Sequence, residues 1–439
     1  MKKKYRIILY TSIFLLCVVA SIILVVKKSN SVYEEESKPK VVKHKSMLSM
    51  NLEQTAGSGD YKTVTQSSWP TEGYKFNAEL SKCENGSTLS WDDTKKAVIM
   101  QGNVSDKCYV YFDIWIPSIA DYCTSGTDLA TCVKNFGDQG PSVSNIYIHN
   151  SSLTNGAGDN SYRYAGANPN NFVCFGSDAS PCPIDNLYRI IGVFGENYHG
   201  ANGKQLVKLI KYDYMTTDEL GTDGDYSQTY KEWGMDSTYK GTYGDGERIG
   251  VYYWNYKATG SATNTWSTSL LNKTNLNTNF INNIGTTWAN KIATVTWKVG
   301  GNTWANIGTK TSSVAYTNEI TNPVTTNTTD NATTYSAKIG LMYVSDYGFA
   351  ASPDAWTLTM SSYNNTTATN NNWMYMGLYE WTISRYADYS FRAFLVSYDG
   401  RVDYGDVNLY NGVRASFNLE SSVSYVSGSG SMSDPIVIN

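Results

Sequence analysis

Histidine is nearly absent from this chain: three occur in 439 residues, at His44, His149 and His199. Nucleophilic chemistry of the Ser-His-Asp or Cys-His kind needs an imidazole beside the nucleophile, and three scattered histidines do not supply that arrangement. The cysteine spacings match no zinc motif, so no metal site and no other cofactor is expected. Charge is scarce as well, at 17% of residues. Residues 1–48 carry ten Lys/Arg and three Asp/Glu, which leaves 25 basic and 36 acidic residues beyond them out of totals of 35 and 39. An acidic body of this kind makes nucleic acid an unsuitable partner. Cysteine also stops early, with none after Cys182.

Aromatic and small polar side chains are plentiful instead. The chain has 35 Tyr and 12 Trp, and this weakly charged, Asn- and Thr-rich composition fits an extracellular β-rich protein. Residues 7–26 form an uninterrupted apolar run, long enough to cross a bilayer as a helix. Lys2, Lys3, Lys4 and Arg6 precede it and Lys27 and Lys28 follow, so the heavier positive flank predicts a cytoplasmic amino end and an exported remainder. The expected location is the cell membrane, single-pass, with the carboxyl-terminal domain outside. A signal peptide cleaved near Ala20 or Ser21 is the alternative.

Six cysteines lie beyond the apolar run, an even number that fits disulfides in an oxidising compartment. Nearest-neighbour pairing is the working assignment: Cys83 with Cys108, Cys123 with Cys132, and Cys174 with Cys182.

Along the chain, residues 1–28 read as a membrane anchor and 29–68 as a polar stalk. Residues 69–117, with alternating apolar runs and turn signals at Asn85-Gly86 and Asp92-Asp93, read as a small β module. Residues 118–160 read as a connector holding one helical piece at 119–136. Beyond it, 187–194 and 205–212 are β-branched and apolar and should pair as a hairpin around a loop at 199–203. Residues 226–246 read as an irregular insertion. Helical spacing returns at 266–292, with a break near Gly285. Strands are expected at 293–299 and 337–347, separated by a mobile Asn/Thr tract at 318–334 that lacks core formers, and 364–372 resembles that tract. The turns Asp223-Gly224-Asp225 and Asp245-Gly246-Glu247 have residues that calcium loops use, but they lack the EF-hand continuation and read as tight turns.

The carboxyl-terminal stretch 380–419 is dense in chemistry. Asp399-Gly400 and Asn411-Gly412 are both hairpin-turn dipeptides set between short apolar runs. Trp381, Val396, Val402, Val413, Phe417 and Leu419 are core candidates. Glu380, Arg385 and Arg414 are candidates for a buried ion pair. The remainder forms the candidate ligand-binding set: Tyr386, Asp388, Tyr389, Ser390, Phe391, Arg392, Phe394, Ser397, Tyr398, Asp403, Tyr404, Asp406, Asn408 and Tyr410. Rigid aromatics interleaved with small hydrogen-bonding residues are the material of paratopes.

Glu380-Trp381, the Ser384-Arg385 step, Asp399-Gly400-Arg401-Val402, and Gly412-Val413-Arg414 with Phe417 and Leu419 resemble the end of the C-type-lectin-like fold. This is the version shared by formylglycine-generating-enzyme-like proteins, bacterial surface proteins and the variable proteins of diversity-generating retroelements. The resemblance covers residues 161–439. It implies an α+β chain: a C-type-lectin-like carboxyl-terminal domain, preceded by an N-terminal transmembrane helix and the small β module. The formylglycine-generating relatives use cysteines late in the fold, where this chain has none, so the resemblance extends to the scaffold and not to that activity. In the retroelement proteins, Asn codons mutated at adenine give Asn, Tyr, Asp, Ser, Phe and Arg, the residue types seen between Tyr386 and Asn411.

Together these readings point to a non-enzymatic, adhesin-like surface protein that binds a surface protein or glycan through a Tyr-rich face, diversified or not. The alternatives are a surface hydrolase acting on glycans or cell-wall polymers, with Glu380 and Asp399 as one generic acid pair, and a structural envelope protein.

Overall fold

The computed structural model describes residues 48–439, except 66–67, 71, 104, 196–198, 235–236, 257–261 and 324–331. The chain forms two compact units, divided between Ile116 and Pro117. The expected architecture with a transmembrane helix at its amino end is corrected. Among the described residues no helix is long and apolar enough to cross a membrane, and the apolar run at 7–26 lies outside them.

In the first unit, β1 (Leu48–Glu53), β2 (Tyr61–Val64), β3 (Tyr74–Cys83) and β6 (Cys108–Ile114) make a sheet of order β2-β1-β6-β3. The hairpin of β4 (Thr88–Asp92) and β5 (Ala97–Gln101) accompanies it. The sheet starts earlier than composition suggests: β1 and β2 fall within the range read as stalk, and β1 runs parallel to β6. Period-2 alternation turns Cys108, Val110 and Phe112 inward, each at most 1% exposed. The rings of Trp69, Phe76 and Trp91 surround Phe112. Cys83 and Cys108 are opposite each other in the β3–β6 ladder and are disulfide-bonded across it. Closing a loop of that span stabilises a unit with a small core by about 3 kcal/mol.

In the second unit a single 3-10 turn at Ile119–Asp121 precedes the helix Leu129–Gly137, whose Asp128 cap accepts the Thr131 amide. The helix is shorter than the expected 119–136 because Gly126 takes a positive φ of 90° and breaks the pattern. Its buried face includes Cys132, bonded to Cys123. Then follow β7 (Ile146–Ile148), β8 (Tyr162–Tyr164), β9 (Phe172–Cys174), β10 (Leu187–Phe194) and β11 (Leu206–Lys211). Cys174 at the end of β9 bonds Cys182, completing the three expected pairs. β10 and β11 pair antiparallel as the sequence predicts. Both are buried at every residue, as strands covered on two faces must be.

Further strands are β12 (Tyr226–Thr229), β13 (Gly250–Tyr253), β14 (Val295–Lys298), β15 (Thr334–Ala337) and β16 (Ile339–Gly340). The helical stretch predicted at 266–292 is a π-helix over Leu271–Phe280 continued by Ile281–Asn283 and Gly285–Ala289, with the expected break at Gly285, where φ is +76°. Asp225 accepts the Leu271 and Tyr256 amides, and Asp223 accepts from Asn279, so the Asp-Gly-Asp turn is satisfied within the protein. The predicted strand 337–347 is corrected. It stops at Gly340, and Val344–Ala350 is a helix, because Asp346 closes a capping box with Tyr343 and the Glu319 carboxylate accepts the amides of Val344 and Ser345. Glu319 and Ile320 are buried, so the Asn/Thr tract does contribute to the core.

The chain closes with β17 (Glu380–Arg385), β18 (Arg392–Val396), β19 (Val402–Asp406), β20 (Tyr410–Asn411), β21 (Ser416–Asn418), β22 (Tyr425–Ser427) and β23 (Val437–Ile438). The main sheet has the order β16-β21-β11-β10-β8-β7, with β9 also on β10. β17-β18-β19 and β12-β13-β20 form two smaller sheets. All six core candidates of the carboxyl-terminal stretch are at most 5% exposed. Asn411-Gly412 is not a hairpin turn. Gly412 bridges Glu380 in parallel, its amide donating to Tyr379 and its carbonyl accepting from Trp381.

Charged side chains reach the interior of this unit, and each meets a partner. Arg414 Nε and Nη2 grip both oxygens of Glu380 at 2.8 and 2.9 Å, and Arg385 is buried nearby in sequence on β17. Arg189 has no carboxylate but donates to Asn171 at 2.7 Å and Pro169 at 2.8 Å, lying over the rings of Phe172 and Trp373. Asp159 accepts from Arg163 Nη2 and Tyr316 Oη, both at 2.8 Å, and lies 2.9 Å from His199 Nε2. Burial pushes His199 down from the usual histidine range against the pull of Asp159. His149 is also pushed down by burial, with Arg163 adding to it.

Two outcomes follow for stability. A histidine held neutral by the fold stabilises it above the unfolded pKa near 6.5, and that contribution is lost as pH falls below it, by up to about 1.4 kcal/mol per pH unit per histidine. Urea titrations at pH 7 and 5.5 should therefore show a shallower pH dependence in His149→Phe than in the native chain; equal slopes would mean the ring is free to protonate in place. Arg414→Met leaves Glu380 buried without its partner and should cost roughly 3–5 kcal/mol, most of it recovered in Glu380→Leu/Arg414→Met. A single variant as stable as the native chain would show that the pair pins nothing.

Candidate ligand-binding face

The β18–β19 hairpin frames the candidate site. Its ladder sets Arg392 opposite Asp406, Phe394 opposite Tyr404 and Val396 opposite Val402. The turn is the expected Asp-Gly one: Gly400 has φ +93°, its amide donates to Ser397, and the Ser397 amide donates to Arg401. Arg392 Nε donates to Asp406 across the strands at 2.9 Å. The Arg392 guanidinium also lies against the rings of Tyr389, Phe391 and Tyr404, 4.8 to 5.4 Å from their centroids. This cation therefore organises three aromatic side chains on the protein's own surface.

Asn264 fixes the loop that carries those rings. It is fully buried, and its side-chain amide donates to the carbonyls of Tyr386, Tyr389 and Arg392 at 2.9, 2.9 and 2.7 Å. Its backbone amide donates to Ser390. The loop is thus held through its backbone, and Asp388, Tyr389, Ser390 and Phe391 are exposed along it.

Of the fourteen residues expected to bind ligand, the structure exposes six: Asp388, Tyr389, Ser390, Phe391, Tyr398 and Asn408. Five more are half-buried: Arg392, Asp403, Tyr404, Asp406 and Tyr410. Tyr386, Phe394 and Ser397 are corrected to interior positions, at 6%, 0% and 0% exposure. Phe394 sits beneath the rings of Trp304 and Tyr386. Tyr386 supports Tyr389 and Tyr404 from below, and burial followed by Asp388 pushes its hydroxyl up to about 12. Ser397 starts the hairpin turn. Strand alternation alone does not show that the sheet is covered on its second face.

The structure adds aromatic residues that the sequence reading passed over. Tyr398 contacts Tyr379, Tyr379 contacts Trp233, Trp233 contacts Tyr410, and Tyr410 contacts Tyr253, which stacks on Tyr256; successive ring centroids are 4.5 to 5.8 Å apart. Tyr398, Trp233 and Tyr256 are 37%, 36% and 44% exposed, so the row is open to solvent at both ends and in the middle. Trp233 lies in the stretch 226–246 read as an insertion, where a lone Trp among Gly and Asp was the available signal. Tyr253 and Tyr410 are brought together by the β13–β20 pairing, which no local pattern reveals. Exposed planar rings with hydroxyl or indole tips can bury area against a ligand while offering hydrogen bonds at the rim. No family model, no curated protein and no solved structure matches this chain.

Proposed function

We propose that this protein is an exported, adhesin-like binding protein whose carboxyl-terminal unit engages a surface protein or glycan through the aromatic face around β18–β19. The observation that carries the reading is the concentration of exposed rings there. Tyr389, Phe391 and Tyr398 are 46%, 38% and 37% exposed, and Tyr398 heads the row through Trp233 to Tyr256. Rigid rings lose little conformational freedom when they bind; Tyr389 and Phe391 are already braced by Arg392 and by each other, and Tyr398 by Tyr379. The three disulfides support an oxidising destination. Retroelement diversification is consistent with six exposed positions on a backbone-anchored scaffold. Its trace would be a near-copy of the last coding segment beside a reverse-transcriptase gene.

The hydrolase alternative has less to work with. Glu380 is enclosed by Arg414, and burial pushes its carboxyl up even against that partner. Asp399 caps its own turn by accepting the Arg401 amide. A recess lined in part by Gln205, Glu420 and Ser421 presents one carboxylate where paired-acid chemistry needs two.

The test is retention of the purified chain on an array of surface glycans and extracellular proteins. Tyr389→Ala and Tyr398→Ala should fold normally and each lose about 2 kcal/mol or more, roughly thirtyfold in affinity, toward whatever the native chain retains. Trp381→Ala should instead unfold the unit, since Trp381 is fully buried and its indole donates to Tyr252, and losing a buried ring costs roughly 3–5 kcal/mol. Folded tyrosine variants that bind as the native chain does would sink the reading.

A further inference from the structure

Lys208 on β11 and Asp346 in the helix Val344–Ala350 are 138 residues apart in sequence, and Lys208 Nζ lies 2.5 Å from Asp346 Oδ2. Their side chains are 3% and 1% exposed. The rings of Phe194, Trp297 and Tyr343 enclose the amine, with centroids 4.4 to 5.8 Å from Nζ. On the far side of the carboxylate, Oδ1 makes no hydrogen bond, and neither does Arg163 Nη1, which faces it at 3.6 Å. Oδ2 also accepts the Tyr343 amide at 3.0 Å.

A lysine ammonium has three N–H donors, and here aromatic rings occupy much of its surroundings. Such a setting disfavours the charged amine; burial accordingly pushes Lys208 down from the usual lysine range, with Asp346 pulling the other way. Asp346 is itself held low, burial notwithstanding, by Lys208 and Arg163. Moving the proton along the hydrogen bond turns the ion pair into a neutral amine beside a neutral acid, against the pull that holds Asp346 low but without any charge leaving the site.

We propose that Lys208 and Asp346 are joined by an intramolecular isopeptide bond that forms once the chain has folded. The ammonium gives one proton to Oδ2, and the freed Nζ lone pair attacks Cγ. Negative charge develops on Oδ1, where Arg163 Nη1 stands ready to stabilise it. The nitrogen loses a second proton to the departing hydroxyl, the C–Oδ2 bond breaks, and one water leaves. Amine and acid are consumed in equal number, and no oxidant or external co-reactant is needed. Fixed proximity supplies the driving advantage, since groups held in place in a water-poor site behave as if at enormous concentration. Oδ1 remains as the product amide oxygen, still facing Arg163 Nη1.

The test is the intact mass of the purified, reduced and denatured protein, followed by peptide mapping. The expected chain is lighter by one water than its sequence, and digestion yields a branched peptide in which Lys208 is joined to Asp346. Lys208→Arg keeps the charge but cannot form the bond, so it should restore the missing water. If that variant does not fold, the native chain still decides the matter. Linear peptides carrying unmodified Lys208 and Asp346 would overturn the proposal, and so would a water lost elsewhere with both side chains intact.

Discussion

A charge cannot be left alone in the interior of a protein, and much of the second unit is arranged around that constraint. β8, β10, β11, β17 and the segment entering β21 bring Arg163, Arg189, Lys208, Lys211, Arg385 and Arg414 to positions at most 4% exposed. Four of them meet acids: Arg163 meets Asp159 four residues before it and Lys211 meets Glu219 in a nearby capping box, while Lys208 meets Asp346 at a helix start and Arg414 meets Glu380 at the edge of the carboxyl-terminal sheet. Replacing such groups with apolar ones can be neutral, but removing one partner is costly. The network therefore ties the main sheet, the helix Val344–Ala350 and the β17–β19 sheet into one commitment, because a misplaced element would strand a charge.

The same constraint explains where the sequence is legible and where it is not. β10 and β11 are readable because Ile190, Ile191, Val193 and Leu209 dominate them, and the Gly400 turn because Asp-Gly permits few other geometries. Cysteine pairing follows proximity in sequence. Arg189, Lys208 and Lys211 look in isolation like solvent-facing residues of an amphipathic strand; their burial depends on partners that local windows do not contain. The helix at Val344 is obscured for a related reason. Glu319, across a loop, accepts the first amides of a segment whose own Val-Ser-Asp-Tyr gives no strong helical signal.

At the candidate face composition places three interior residues on the surface. Tyr386, Phe394 and Ser397 have the same residue types as their neighbours, and composition cannot separate a ring that carries a surface from a ring that forms it. Only pairing across the sheet, with Trp304 arriving over Phe394, makes the distinction. The opposite omission concerns Trp233 and Tyr256, which join the face because β13 pairs with β20. Surface continuity of this kind belongs to topology.

Asn264 grips three carbonyls in seven residues of loop. Every residue carries a backbone carbonyl whatever its side chain. A loop anchored in this way keeps its path when its sequence is rewritten, so its vocabulary is decoupled from its grammar. Asp388, Tyr389, Ser390 and Phe391 could be exchanged wholesale, by evolution or by an engineer building a binding library, at little cost to the scaffold that presents them.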